Sequence, residues 1–153
     1  MSAPEERLAE LGLNVPEVPK PVAVYVPAVG CDNLVFTSGQ LPMKNGELML
    51  TGKVGGEVSP EEAKACAEQC ALNALAAVKA EIGDLANVKR IVKAVAFIAS
   101  TPDFTGQPQV ANGASELFGQ VFGEAGQHAR SAVGVPVLPL DAPVEVELIV
   151  EVN

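Results

Sequence analysis

The chain has no tryptophan, a single tyrosine (Tyr25) and a single histidine (His128). It is also short of cations, with ten Lys and Arg against nineteen Asp and Glu and a formal net charge of −9. Phosphate backbones are gripped by clustered Lys and Arg, with aromatic rings to stack bases. No basic run exists here, aromatics are only 4% of the residues, and no histidine is placed for phosphodiester chemistry, so nucleic acid is not an expected partner. The three cysteines, Cys31, Cys66 and Cys70, form no framework spacing. Free thiols in a reducing compartment follow. No apolar run reaches the roughly 20 residues that span a bilayer. The opening MSAPEERLAELGL lacks the basic and apolar stretches of a signal peptide. The expected location is cytoplasmic, with no membrane partner.

Chemistry-bearing motifs are equally scarce. There is no phosphate loop, nucleophile elbow or zinc signature. Cys66 and Cys70 stand four residues apart, but zinc needs two further ligands and the chain has one histidine. Both read as core cysteines, and no metal is expected. His128, in a glycine-rich link, reads as a surface residue.

What is present is apolar. Hydrophobic residues make up 48% of the 153 and charged ones only 19%, which places the chain among folded proteins of one domain. So little charge implies that part of the surface is hidden by self-association. Residues 1–21 read as an N-terminal extension, with a short helix over 4–12 closed by Gly12 and a proline-rich tether after it. Residues 22–153 read as the domain. Within it, Val22–Val29 and Leu34–Gln40 form a hairpin turning at Gly30-Cys31-Asp32-Asn33, and Glu47–Leu50 is a third strand. Tyr25 falls inside the first strand. Ser38-Gly39-Gln40-Leu41-Pro42 breaks the second, where glycine permits a bulge or a close approach.

Ser59-Pro60-Glu61-Glu62 supplies an N-cap, a first-turn proline and a capping-box glutamate. The helix it opens runs to about Ile82, with a stripe of Ala63, Cys66, Ala67, Cys70, Ala71, Ala74, Leu75 and Val78. Val88–Ala99 is a β-branched strand, and Pro108–Phe122 a second helix with Val110, Leu117, Val121 and Phe122 inward. Two closing strands follow, read as a pair joined by a Pro-flanked turn. The order β-β-β-α-β-α-β-β predicts an α+β sandwich: a mostly antiparallel six-stranded sheet with two helices on one face. Val135, Val137, Val144, Val146 and Leu148 cannot all point one way, so the uncovered face is expected to be apolar and to form an oligomer interface.

Arg130 stands out, because it opens an apolar strand in a chain poor in cations. A buried arginine must be paired, and its planar fork matches a carboxylate. Two readings stay open: a structural pair with Glu145 or Glu147 across the closing strands, or a clamp for a ligand carboxylate. Glu145, Glu147 and Glu151 share a face by the period of two.

The stretches Ser38-Gly39-Gln40-Leu41-Pro42, Ala129-Arg130-Ser131-Ala132-Val133 through Leu138-Pro139, and Val144-Glu145-Val146-Glu147 resemble the YjgF/RidA family, also labelled endoribonuclease L-PSP. The resemblance covers roughly residues 22–152 in the same element order. It implies a chorismate-mutase-like fold and a homotrimer with clefts between subunits. It also implies cofactor-free hydrolysis of reactive imines or enamines, such as 2-aminoacrylate, to 2-keto acids. By the resemblance Arg130 grips the substrate carboxylate, Glu145 positions or activates water, and Tyr25, Ser38, Gly39 and Ala132 line the pocket. The alternative is a non-catalytic trimer that binds a small carboxylate for regulation. The chain departs from the family pattern at Ala132, often cysteine, at His128, usually proline, in the longer stretch 104–112, and in its N-terminal extension. These departures mark a divergent subgroup.

Overall fold

The computed structural model describes residues 3–18 and 24–153. Helix α1 (Ala3–Glu10) opens the chain and buries Leu8. Gly12 closes it at φ +76°. Arg7 donates to the carbonyl of Val121 at 2.9 Å, placing a cation at the C-terminal end of a later helix, where the backbone dipole favours it.

Strands β1 (Ala28–Cys31) and β2 (Leu34–Thr37) form the first hairpin, with Cys31 opposite Leu34. The expected strand over Val22–Val29 is corrected: residues 22 and 23 lie outside the described residues, and pairing starts only after Pro27. Tyr25 therefore precedes the strand. The turn is Asp32-Asn33, with Asp32 at φ +54°. Strands β3 (Met43–Lys44) and β4 (Glu47–Leu48) turn at Asn45-Gly46, both at positive φ. They form their own small ribbon, so the expected third strand does not join the main sheet. That sheet has five strands, not six.

Helix α2 (Pro60–Ile82) begins and ends where its caps require. The Glu62 amide donates to Ser59 Oγ at 3.1 Å, and the Ser59 amide donates to Glu62 Oε1 at 3.0 Å. Its small-residue stripe is wholly buried. Strand β5 (Val88–Ala99) leads to helix α3 (Gln107–Phe122), strand β6 (Ala129–Val135) and strand β7 (Val144–Val152). The main sheet runs β1-β2-β7-β5-β6. β6 lies parallel to β5, and β7 antiparallel to it on the other side.

The closing strands thus do not pair with each other, which corrects the expected hairpin. A parallel neighbour of β5 can be reached only by a crossover, here through α3. The chain then passes over the end of β5, where Ser100 donates to Val135 and Ala99 donates to Pro143.

Both long helices cover one face. Val35, Ile91, Ile98, Val144, Val146, Leu148 and Val150 point into the core with Phe118 and Leu117. Val144, Val146 and Leu148 share this direction while Val137 is exposed, so the five valines and leucines of the closing segment do not all point one way, as expected. The uncovered face is mixed: Phe36, Val95, Phe97, Val133 and Ile149 lie among Glu145 and Glu147.

Where α2 and α3 meet, a Cβ built on Gly113 would lie 2.1 Å from the Lys64 carbonyl oxygen. Helix propensity alone favours alanine over glycine by about 1 kcal/mol. The contact reverses the sign: Gly113→Ala is expected to destabilise by about 1–3 kcal/mol. Ser59→Ala, which breaks the cap, is expected to cost about 1 kcal/mol, or about 3 °C of Tm at this chain length. Thermal melts of both variants test the pair, and a Gly113→Ala chain more stable than the parent would contradict the packing argument.

Candidate functional site

The sequence-predicted residues fall into two groups. The first lies where β2 leaves β7. Phe36 is opposite Ile149 and Gln40 is opposite Val146, so three residues face two across a bulge. The buried hydroxyl of Thr37 fills the gap by accepting from the Leu148 amide at 2.9 Å. Ser38 donates its hydroxyl to Val26 at 2.6 Å, and its amide donates to Pro27 at 2.8 Å. The segment that carries the exposed Tyr25 is thereby tied to the bulge.

Gly39 meets Glu145 directly. A Cβ on Gly39 would lie 2.4 Å from Glu145 Oε2, so any larger residue would push that carboxylate out of its present position. Glu145 is half-buried. Burial, and then the negative charge of Glu147, raise its carboxyl above the usual range. Among the described residues no donor hydrogen-bonds to it.

The second group sits under α3, at the β6 edge. Arg130 is opposite Ala94 in the register, in the row that faces the helices. Its Nη1 donates to Asn112 Oδ1 at 2.8 Å and to Ser115 Oγ at 3.2 Å. Both partners are neutral, and among the described residues no carboxylate lies within ion-pair distance of the guanidinium. A depression of about 350 Å³ opens beside it, lined by Ser115, Gly119, Gly126, Gln127, His128 and Arg130. Ala132, two residues on and half-buried, packs against the core on the same side as Arg130.

Within one chain the two groups stay apart. β5 separates β6 from β7, and Glu145 lies opposite Phe97 in the row that faces away from the helices. The structural pair of Arg130 with Glu145 or Glu147 is not formed. His128 is corrected too: it is half-buried, with both ring nitrogens engaged and Phe118 edge-on at 5.5 Å. Cys66 and Cys70 are core residues, as expected. Burial, aided by the charge of Glu62, pushes the Cys66 thiol up to about 11, and burial also raises the Cys70 thiol well above its ordinary value.

Three residues escaped the sequence reading. Asn112 and Ser115, three apart on α3, face β6. Their signal was polar side chains adjoining the apolar stripe of an amphipathic helix. Asn73, 2% exposed, donates to the carbonyls of Leu41 and Met43 at 2.9 and 3.0 Å. It holds the loop that follows Gly39, and its signal was an amide in the middle of an apolar helix. A larger cleft of about 600 Å³, between residues 12–18, the β3–β4 ribbon and α2, contains none of the predicted site residues.

Comparison with known proteins covers the whole arrangement. Residues 5–152 match the sequence model of the YjgF/chorismate mutase-like family, which carries an endoribonuclease label. The chain is 44% identical to protein TCP17 of Trypanosoma cruzi, over 95% of this chain and 92% of that one. It is 33% identical to a 2-iminobutanoate/2-iminopropanoate deaminase of Dermatophagoides farinae, over 92% and 95%. The crystal structure of Atu1372, a protein of unknown function from Agrobacterium tumefaciens, superposes with a TM-score of 0.93 at 47% identity. That match covers 99% of this chain and 93% of that one.

The raised carboxyl of Glu145 has a consequence for stability. The folded state holds this proton more tightly than the unfolded state, whose ordinary value is 4.5. Stability from this group is therefore full below 4.5 and declines as pH rises from there through the folded value. Glu145→Gln removes the penalty. Its Tm is expected to exceed the parent's at pH 7–8, and the gap is expected to close as the pH is lowered through the carboxylate range. A gap that does not depend on pH would show that the carboxylate is not strained by burial.

Proposed function

This chain belongs to the YjgF/chorismate mutase-like family, and from that premise we propose that it hydrolyses small imine or enamine carboxylic acids, such as 2-aminoacrylate, to 2-keto acids and ammonia. The observation that carries the reading is Arg130. It is a half-buried guanidinium with two neutral partners, no carboxylate among the described residues, and a depression beside it. Its remaining N–H groups fit a carboxylate bidentately. The similarity to an imine deaminase supports the substrate class.

Arg130 anchors the substrate carboxylate. The imine carbon is already electrophilic, so the reaction needs water and a base rather than a cofactor. Glu145, whose carboxyl burial makes more basic than an ordinary carboxylate, accepts a proton from water as the oxygen adds to that carbon. The C=N bond opens to a carbinolamine. The nitrogen takes up the proton that Glu145 removed from water, then a second one from the carbinolamine hydroxyl, and leaves as ammonia as the C–N bond breaks and the C=O bond forms. Ser38 and Gly39 line the approach to Glu145, with Tyr25 at its edge and Ala132 beside the arginine.

This chemistry requires Arg130 and Glu145 in one cleft, so a second copy must supply one of them. A homotrimer with inter-subunit clefts is the assembly we propose. The exposed Val29, Phe36 and Val133, on strand surfaces that solvent would otherwise meet, support it.

Coupling an amino-acid oxidase or a pyridoxal-dependent lyase to the protein and following ammonia release tests the proposal. The chain should accelerate release, and Arg130→Ala should abolish the effect. Glu145→Gln should lower kcat by roughly 10²–10⁴ with little change in KM. No acceleration with several imino acids would sink the deaminase reading. If a 2-keto acid still raised Tm in the parent but not in Arg130→Ala, the regulatory carboxylate-binding reading would take its place. A monomer by light scattering would remove the shared cleft.

A further inference from the structure

Arg130 is held by a chain of hydrogen bonds that passes through Ser115 to His128. His128 Nδ1 lies 2.6 Å from the carbonyl oxygen of Gly126. A carbonyl can only accept, so Nδ1 carries the hydrogen. His128 Nε2 lies 2.9 Å from Ser115 Oγ. That hydroxyl already accepts from Arg130 Nη1 at 3.2 Å, which leaves its own hydrogen to point at Nε2. With the ring neutral, every group in the chain has a partner of the right kind. Phe118, fully buried, sets the ring plane from the edge. Asn112 takes the other hydrogen of Nη1 at 2.8 Å.

We propose that Ser115 and His128 are positioning residues: their relay, anchored on the Gly126 carbonyl, holds the guanidinium so that Nε and Nη2 face the depression as a side-on fork for a carboxylate. The inference rests on the carboxylate reading of Arg130. Guanidinium has five N–H donors in one plane. With both Nη1 hydrogens engaged, the edge formed by Nε and Nη2 is the one left for bidentate contact. An arginine side chain loses much rotamer freedom when it is fixed. A relay that fixes it beforehand spares the ligand that cost.

The chain's single histidine makes the relay directly observable. Histidine labelled with ¹⁵N reports one ring, whose expected tautomer is Nδ1–H. Ser115→Ala is expected to shift the Nε2 resonance, and an Nε2–H tautomer would overturn the relay. The second measurement is calorimetric binding of 2-oxobutanoate. Ser115→Ala and His128→Ala should each weaken binding by roughly tenfold. The double variant should be no weaker than either single one, because both act through one chain of contacts. His128→Gln, which keeps an acceptor toward Ser115, should restore most of the affinity. A purely structural role would instead lower Tm without this coupling or rescue. If Arg130→Ala loses binding while Ser115→Ala and His128→Ala bind as the parent does, the positioning role falls and the carboxylate reading stands. If the parent itself binds no 2-keto acid, both fall.

Discussion

A parallel strand pair cannot be closed by a short turn, and that constraint shapes this protein. β6 runs parallel to β5, so the chain must cross the sheet between them. α3 is the crossover, and it lies over the strand it delivers. The result is an edge strand whose first residues are roofed by a helix. Arg130 is caught between them, with Asn112 and Ser115 above and the core row of β5 beside it. A cation there meets dipoles rather than an opposite charge, an arrangement that leaves room for an anion from outside.

The same crossover sends the last strand to the far side of β5. β7 therefore sits at the centre of the sheet, bounded by β2 and β5. Its alternation puts Val144, Val146, Leu148 and Val150 under the helices and Glu145 and Glu147 on the open face. Burial there, and then the charge of Glu147 on the next same-face position, raise the proton affinity of Glu145. Gly39 completes that corner because the β2 bulge brings its backbone against Glu145. The acidic half and the cationic half of the proposed cleft are thus fixed on opposite faces of one sheet, which is why the proposed reaction calls for a second copy.

Much of this was readable from the residues. Caps and residue type placed α2 and β5, because Ser59, Pro60, Glu62 and Gly83 act on their own helix and Val88–Ala99 is studded with Val, Ile and Phe. The break after Thr37 was readable because glycine in a strand marks a bulge. The partners of Arg130 were not. Asn112 and Ser115 are 18 and 15 residues away along the chain, and their polar groups look like ordinary helix-surface residues until β6 is docked. His128 misled for the same reason: its glycine-rich neighbours suggest exposure, but the ring turns inward between Phe118 and Ser115.

Local signals determined which segments are helix and which are strand, where α2 starts and stops, that two helices share one sheet, and which motifs carry the family likeness. Those features depend on backbone propensities, capping bonds and a two- or three-and-a-half-residue rhythm, all settled within a few residues. Tertiary structure alone decided that β5 separates the closing strands, that the sheet has five strands, and that Arg130 and Glu145 face opposite ways. Alternation tells a strand that it has two faces. Only its neighbours, brought in from distant parts of the chain by the burial of the common core, settle which face is which.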